Sequence, residues 1–129
     1  MSEIYLRDLI GVKFKTHGRS IEEGYDCYGL AIEVERRAGK ALADVWYEGT
    51  SDRENIKTAE LVRKGIPLEK IDCKEPYCLV DIAIDGGKTS HVGVYLGNGV
   101  MIHSTRECGV CIQNIQRYKS LIKGYYKVV

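Results

Sequence analysis

Residues 91–104 read HVGVYLGNGVMIHS, and this stretch decides the fold of the second half of the chain. Two runs of apolar residues flank Gly97-Asn98-Gly99, a pattern typical of an antiparallel hairpin closed by a tight turn. The period of alternation predicts further strands, with a short helical turn between the last two. We therefore expect an antiparallel sheet whose remaining strands cover residues 79–84, 110–113 and 125–129, with the helical turn at residues 116–121.

The first half of the chain has the periodicity of helices. Residues 26–39 place apolar side chains on one helical face, with Asp26 as the N-terminal cap and Gly39 as the left-handed stop. Shorter helices are predicted at residues 3–10 and 52–64. Helices followed by strands indicate an α+β fold, with N-terminal helices packed on a C-terminal antiparallel sheet. The other segments of this half are predicted to be irregular: an ordered loop at 11–25, and residues 40–50 with Trp46.

Length and charge limit the function classes. The chain has 129 residues, which suits one domain spanning 1–129, and its 19 Lys and Arg against 18 Asp and Glu give a net charge of +1. This balance argues against nucleic acid as a partner. Neither an export signal nor an apolar run long enough to cross a membrane is seen, so we expect a cytoplasmic protein as synthesised, without a membrane partner. Five cysteines, an odd count, favour reduced thiols.

Cys27 is predicted to lie in the first turn of the helix at 26–39. The pKa of a thiol falls at a helix N-terminus, and the free N–H groups there can also stabilise an oxyanion. This position makes Cys27 the leading candidate for a nucleophile. The alternative is that Cys27 is a small buried residue of the helix face, as free cysteines often are.

His91 and His103 lie on the two arms of the predicted hairpin and are candidates for the base and its orienting partner. Because side chains alternate along a strand, a three-residue loop places both rings on one face, whereas a two-residue Asn98-Gly99 loop places them on opposite faces. The catalytic hypothesis therefore requires the three-residue loop. The alternative is one exposed histidine and one satisfied histidine in the core.

Three segments together resemble the NlpC-type cell-wall peptidases, which are papain-like cysteine enzymes. They read GYDCYGL (residues 24–30), SHVGVYLGNG (90–99) and MIH (101–103). The resemblance implies a papain-like fold in which Cys27 attacks the scissile carbonyl, His91 takes and returns the proton, and His103 orients His91. It also implies a peptidoglycan stem peptide as substrate, cut between D-glutamate, through its γ-carboxyl, and a diamino acid. No metal or organic cofactor is implied.

The sequence departs from the family pattern next to the nucleophile. Tyr28 follows Cys27 where the family often has Ser, a feature similar to tail-associated members encoded by phages. The family's upstream Tyr is missing, so His17, Tyr25 or Tyr28 is expected to supply that contact, and Asp26 is grouped with them as substrate-binding. Phage tail proteins are accordingly expected as partners, with delivery to the cell wall in a phage particle.

Other functions remain open on the sequence. Without the upstream Tyr, the chain could be a non-catalytic phage tail-assembly or binding module of the same fold, and the same thiol would also suit an amidase or acyltransferase. The spacing of Cys73, Cys78, Cys108 and Cys111 admits a zinc site or, for the last two, a redox pair. Because Cys111 falls in a predicted strand and no strand-to-helix motif surrounds the second pair, loop and core cysteines are favoured.

Overall fold

A computed structural model describes residues 4–45, 61–62, 65–84, 86 and 89–129. Its main helix, α1 (Cys27–Arg37), begins where the sequence predicts, because the Asp26 side chain accepts a hydrogen bond from the Gly29 N–H. It ends at Arg37, and Gly39, two residues later, has φ +85°. Around this glycine, Gly39 N–H donates to Arg36 and Lys40 N–H to Glu35, the paired bonds of a Schellman motif.

Eight strands accompany the helix in the described residues: β1 Arg19–Ser20, β2 Gly24–Tyr25, β3 Leu68–Ile71, β4 Leu79–Ile84, β5 Thr89–Gly97, β6 Val100–Thr105, β7 Gly109–Asn114 and β8 Ile122–Val128. Six of them form one antiparallel sheet in the order β3-β8-β4-β5-β6-β7. The α+β prediction is thereby confirmed. The two short strands, β1 and β2, pair with each other within the segment predicted as a loop.

Two of the predicted helical segments are shorter in the structure or fall outside its described part. At the N-terminus, only Arg7–Leu9 is helical, as one 3₁₀ turn, and Gly11 with φ +85° follows it closely. The helix predicted at 52–64 lies outside the described residues except for Leu61 and Val62, which are helical. Trp46 also lies outside them. The helical turn predicted at 116–121 is a 3₁₀ helix over Ile115–Leu121.

The sheet separates two clusters of buried side chains. Helix α1 packs on β5 and β6, and its Leu30 and Val34 belong to the first cluster together with Val92 and Ile102 of the sheet. The second cluster includes Met101 and Tyr95, with residues of the 3₁₀ helix Ile115–Leu121 packed into it. Since neighbouring residues of a strand point to opposite faces, β5 and β6 contribute side chains to both clusters. No helix of the described residues is long and apolar enough to cross a membrane.

Candidate active site

The start of helix α1 is held by a buried carboxylate. Asp26 is fully buried, and its two oxygens accept hydrogen bonds from Gly29 N–H at 2.7 Å, His17 N–H at 2.8 Å and Arg19 Nη1 at 3.0 Å. Arg19 in turn contacts both carboxylate oxygens of Asp44 at 3.1 Å. A buried charge is tolerated when it is paired and hydrogen-bonded in this way. Asp26 therefore fastens the preceding loop to the first turn of the helix.

Cys27 is the first residue of helix α1 and is 1% exposed. As predicted, its backbone lies where a helix has free N–H groups and the positive end of its dipole. The residues on either side of it are also buried. Tyr28 is fully buried and donates its hydroxyl to the Ala43 carbonyl, and Arg19 lies 6.0 Å from its ring centre. Burial raises the pKa of Tyr28, so this hydroxyl keeps its proton.

Tyr25 and His17 occupy different positions around the helix start. Tyr25 is buried, and its backbone carbonyl accepts a 2.8 Å hydrogen bond from Ser104 Oγ of β6. His17 is exposed and has φ +61°, with its backbone N–H turned toward Asp26. The Ser104 bond ties the chain two residues before Cys27 to the residue that follows His103. Substrate contacts by His17, Tyr25, Asp26 and Tyr28 stay predictions.

The β5–β6 turn differs from the expected three-residue loop. The strands close through the two-residue turn Asn98-Gly99, with φ +53° and +78°, values that favour Asn and Gly. Gly97 pairs with Val100, and a β-bulge then shifts the register by one before Tyr95 pairs with Met101. The bulge compensates for the shorter turn, because one extra residue on one strand restores the side-chain parity.

His91 and His103 consequently project from the same face of the β5–β6 pair. Gly93 lies on β5, two residues after His91, and its lack of a side chain leaves room for the two rings. A Cβ placed on Gly93 would lie 3.4 Å from the Cβ of His103 and 2.8 Å from Met101 Sδ. The two rings lie edge to face with centres 5.0 Å apart. His91 Nε2 and His103 Nδ1 are 2.8 Å apart, within hydrogen-bond distance.

The hydrogen-bond chain continues beyond His103 to two residues that the sequence did not suggest. His103 Nε2 lies 2.7 Å from Gln113 Oε1, which also accepts the Tyr118 hydroxyl at 2.7 Å. Tyr118 packs edge-on against His103, with ring centres 5.4 Å apart. Gln113 lies on β7 opposite Met101. A polar residue on the inward face of a predicted strand was the signal in the sequence that could have indicated its role. Its partner remained hidden because strand order cannot be read from spacing.

Burial keeps both imidazoles neutral near pH 7. It lowers the pKa of His91 to about 3, with the neighbouring His103 as a lesser cause. Burial also lowers the pKa of His103, against the opposing effect of its hydrogen bond to Gln113. Neutral imidazole has one bare ring nitrogen that can accept a proton. That bare nitrogen is where a proton is taken up, although the same burial disfavours the charged imidazolium.

Cys27 and the histidine pair belong to adjoining layers of the molecule. Cys27 packs in the first cluster with Val92 and Ile102, whereas His103 packs against Tyr118, which borders the second cluster, and His91 contacts His103. The paired residues of β5 and β6 run from Gly97–Val100 only as far as Val94–Ile102. The registered ladder therefore ends before it reaches the two histidines, at the end of the strands where Ser104 holds the segment leading into α1.

The remaining cysteines are dispersed. Cys73 and Cys108 are exposed, Cys111 is half-buried and Cys78 is buried, with its pKa raised to about 11 by burial. Within the part of the chain that the structure describes, no three His, Cys, Asp or Glu side chains converge as a metal site requires.

Residues 11–127 match the NlpC/P60 family, and the chain therefore belongs to that family. It is 26% identical over 119 residues to the Gamma-DL-glutamyl hydrolase of Bacillus subtilis strain 168, covering 86% of this chain and 24% of that protein. The chain thus spans about a quarter of the length of this relative.

Solved structures show the same fold. The NlpC/p60 domain of the peptidoglycan hydrolase SagA superposes with a TM-score of 0.60 at 18% identity, over 91% of this chain and 87% of that one. NlpC2 from Trichomonas vaginalis gives a TM-score of 0.66 at 20% identity, over 95% of this chain and 43% of that one. At these identities the likeness is evidence for the fold alone.

Proposed function

We propose that this protein is a cysteine peptidase that hydrolyses peptidoglycan stem peptides, at the bond between the γ-carboxyl of D-glutamate and a diamino acid. Family membership and the hydrolase name of the Bacillus subtilis relative support a cell-wall or γ-glutamyl substrate. The observation that carries the proposal is the 2.8 Å contact between His91 and His103, because a base needs an orienting partner.

The proposed mechanism begins with transfer of the Cys27 proton to His91. Nε2 of His91 is engaged with His103, so the proton goes to the other ring nitrogen, Nδ1. The thiolate then attacks the carbonyl carbon, and the first-turn N–H groups of α1 face the developing oxyanion. His91 returns the proton to the leaving amine, and water hydrolyses the resulting thioester with His91 again acting as the base.

This mechanism requires the Cys27 sulfur to reach Nδ1 of His91. Two features favour such an approach: the end of the paired β5–β6 ladder before the histidines, and the Ser104–Tyr25 bond that holds the helix start at this end of the sheet. The contact is therefore proposed where α1 begins and where the two strands are no longer paired.

The test is the release of amine from purified stem peptides. We expect Cys27→Ala to lower the rate by about 10⁴-fold or more, since loss of a covalent nucleophile removes most of the rate enhancement. Cys73→Ala, at an exposed cysteine elsewhere on the surface, is the matched control and should cleave at the parental rate. Cleavage by Cys27→Ala at the parental rate would exclude the thiol mechanism.

Delivery in a phage particle forms a further part of the proposal, supported by the aromatic Tyr28 next to the nucleophile. The non-catalytic alternative, a tail-assembly module, is supported by the lack of a Tyr at residues 14–18. Antibody detection of the chain in purified phage tails tests the carrier. Turnover of stem peptides by those tails, lost in Cys27→Ala particles, would exclude the non-catalytic alternative.

A further inference from the structure

The hydrogen bonds around Gln113 determine where the protons of the histidine pair reside. Gln113 Oε1 is a carbonyl oxygen and can only accept, so both of its neighbours donate to it. The Tyr118 hydroxyl is one donor, at 2.7 Å, and His103 Nε2 is the other, also at 2.7 Å. Neutral His103 therefore carries its hydrogen on Nε2, which leaves Nδ1 with a lone pair.

The tautomer of His103 decides the tautomer of His91. Because His103 Nδ1 has no hydrogen, the 2.8 Å contact requires His91 Nε2 to donate. A neutral imidazole has only one N–H, so the other nitrogen of His91, Nδ1, is left bare. Nδ1 is the atom to which the proposed mechanism assigns the thiol proton.

Reversing the Gln113 amide would reverse every bond in this chain. The amide NH₂ would then donate to His103 Nε2, His103 Nδ1–H would donate to His91 Nε2, and His91 Nδ1 would carry the hydrogen. A protonated Nδ1 cannot accept a proton from a thiol. The orientation of a single amide therefore separates a basic His91 from an inactive one.

We propose that Gln113, oriented by Tyr118, is a positioning residue that sets the tautomers of both histidines so that Nδ1 of His91 is the basic atom. The role of this tautomer in turnover rests on the proposed function, whereas the tautomers themselves do not. Both residues belong to regular structure: Gln113 to β7, and Tyr118 to the 3₁₀ helix that packs into the second cluster.

The first test is a ¹⁵N NMR measurement of the imidazole nitrogens in the full chain at pH 7. We expect His91 and His103 of the parent to be Nε2–H tautomers. Gln113→Glu retains an accepting oxygen and should keep both tautomers, whereas Gln113→Leu should yield a mixture. A parent His91 protonated at Nδ1, or unchanged tautomers in Gln113→Leu, would overturn the proposal.

The second test is the rate at which iodoacetamide alkylates Cys27. If Nδ1 is the activating atom, Gln113→Leu should slow alkylation at pH 7 by about 10²-fold, the lower end of what a general base contributes, because the variant yields a mixture of tautomers. Gln113→Glu should restore the rate and move its acidic limb to higher pH, because a carboxylate stabilises protonated His103. Tyr118→Phe should give a smaller loss, since Gln113 keeps one donor.

Gln116→Leu is the matched control, because Gln116 is an exposed glutamine on the 3₁₀ helix that also carries Tyr118. It should alkylate at the parental rate with parental tautomers. Changed tautomers in Gln113→Leu together with an unchanged alkylation rate would overturn the positioning role. Peptide cleavage is not needed for either test, so their failure is distinguishable from failure of the proposed peptidase activity.

Discussion

The two sides of the β5–β6 pair stabilise their polar groups in different ways. On the helix side, Asp26 is a buried charge neutralised by Arg19 and by two backbone donors. On the other side, His91, His103, Gln113 and Tyr118 form a chain of neutral hydrogen bonds. This difference agrees with the proposed roles of the two sides. The helix start is proposed to face a developing oxyanion and has to be held rigidly, whereas the histidine base has to stay uncharged until it accepts a proton.

Glu35 is an exception on the helix side. It lies eight residues after Cys27 on the same helix and is fully buried, yet neither of its carboxyl oxygens has a hydrogen-bond partner among the described residues. Burial raises its pKa to about 8, an effect that Lys40 opposes. Helix α1 is therefore capped by one buried acid, Asp26, whose oxygens are hydrogen-bonded, and contains another, Glu35, which is protonated at neutral pH. The contribution of each acid to stability can be tested by substitution.

The largest effect is expected for substitution of His91, which tests whether the histidine side activates Cys27 on the helix side. We expect His91→Ala to lower peptide hydrolysis by about 10²–10⁴-fold, the range of a general base, and to slow alkylation of Cys27 at pH 7. The exposed Cys73 and Cys108 provide an internal reference, since their alkylation should not change. Equal alkylation of Cys27 in parent and variant would mean that the two sides are not chemically connected.

The second expected effect is a loss of stability as the pH rises from 4.5 to about 8. The folded chain keeps a proton on Glu35 between pH 4.5 and about 8, where the unfolded chain has released it. The contribution of Glu35 to the free energy of unfolding should therefore be largest below pH 4.5 and be lost as the pH rises to 8. Because each pKa unit is worth about 1.4 kcal/mol, Glu35→Gln should abolish a loss of about 3–5 kcal/mol, measured by urea unfolding at pH 5 and pH 9.

Glu33→Gln is the control for this experiment, because Glu33 on the same helix is paired with Arg36 and Arg37, which lower its pKa. That variant should keep the parental loss of stability between pH 5 and pH 9. A Glu35→Gln chain that loses as much stability as the parent would show that Glu35 is ionised in the folded state at pH 7.

The third and smallest effect is expected for substitution of Asp26, the buried acid whose oxygens are hydrogen-bonded. Asp26→Ala removes the helix cap and the partner of Arg19, so we expect the free energy of unfolding to fall by about 2–4 kcal/mol. Urea unfolding with an unchanged m-value measures it. Asp44→Ala, which removes the exposed partner of the same arginine, should cost less than about 1 kcal/mol. A similar loss in both variants would mean that the burial of Asp26 adds nothing to its role.

The sequence predicted the elements that depend on local patterns. The helix cap at Asp26, the stop at Gly39 and the strand at Leu79–Ile84 follow from residue types that prefer one backbone conformation, and each is confirmed. Strand β3 was missed because Leu68–Ile71 shows no clear alternation and pairs only with the distant β8. The short β1–β2 pair was missed for a similar reason, since two-residue strands leave no periodic signal.

By itself, the sequence determined the fold class, the position of Cys27 at a helix start and the placement of two histidines on one hairpin, because each rests on spacing within a few residues. Only the tertiary structure decided that a bulge, and not a longer turn, gives the histidines a common face. It alone placed Gln113 and Tyr118 behind His103, and left the Glu35 carboxyl without a hydrogen-bond partner among the described residues. These features depend on which distant segments meet in the folded chain, and no local pattern of residues encodes such meetings.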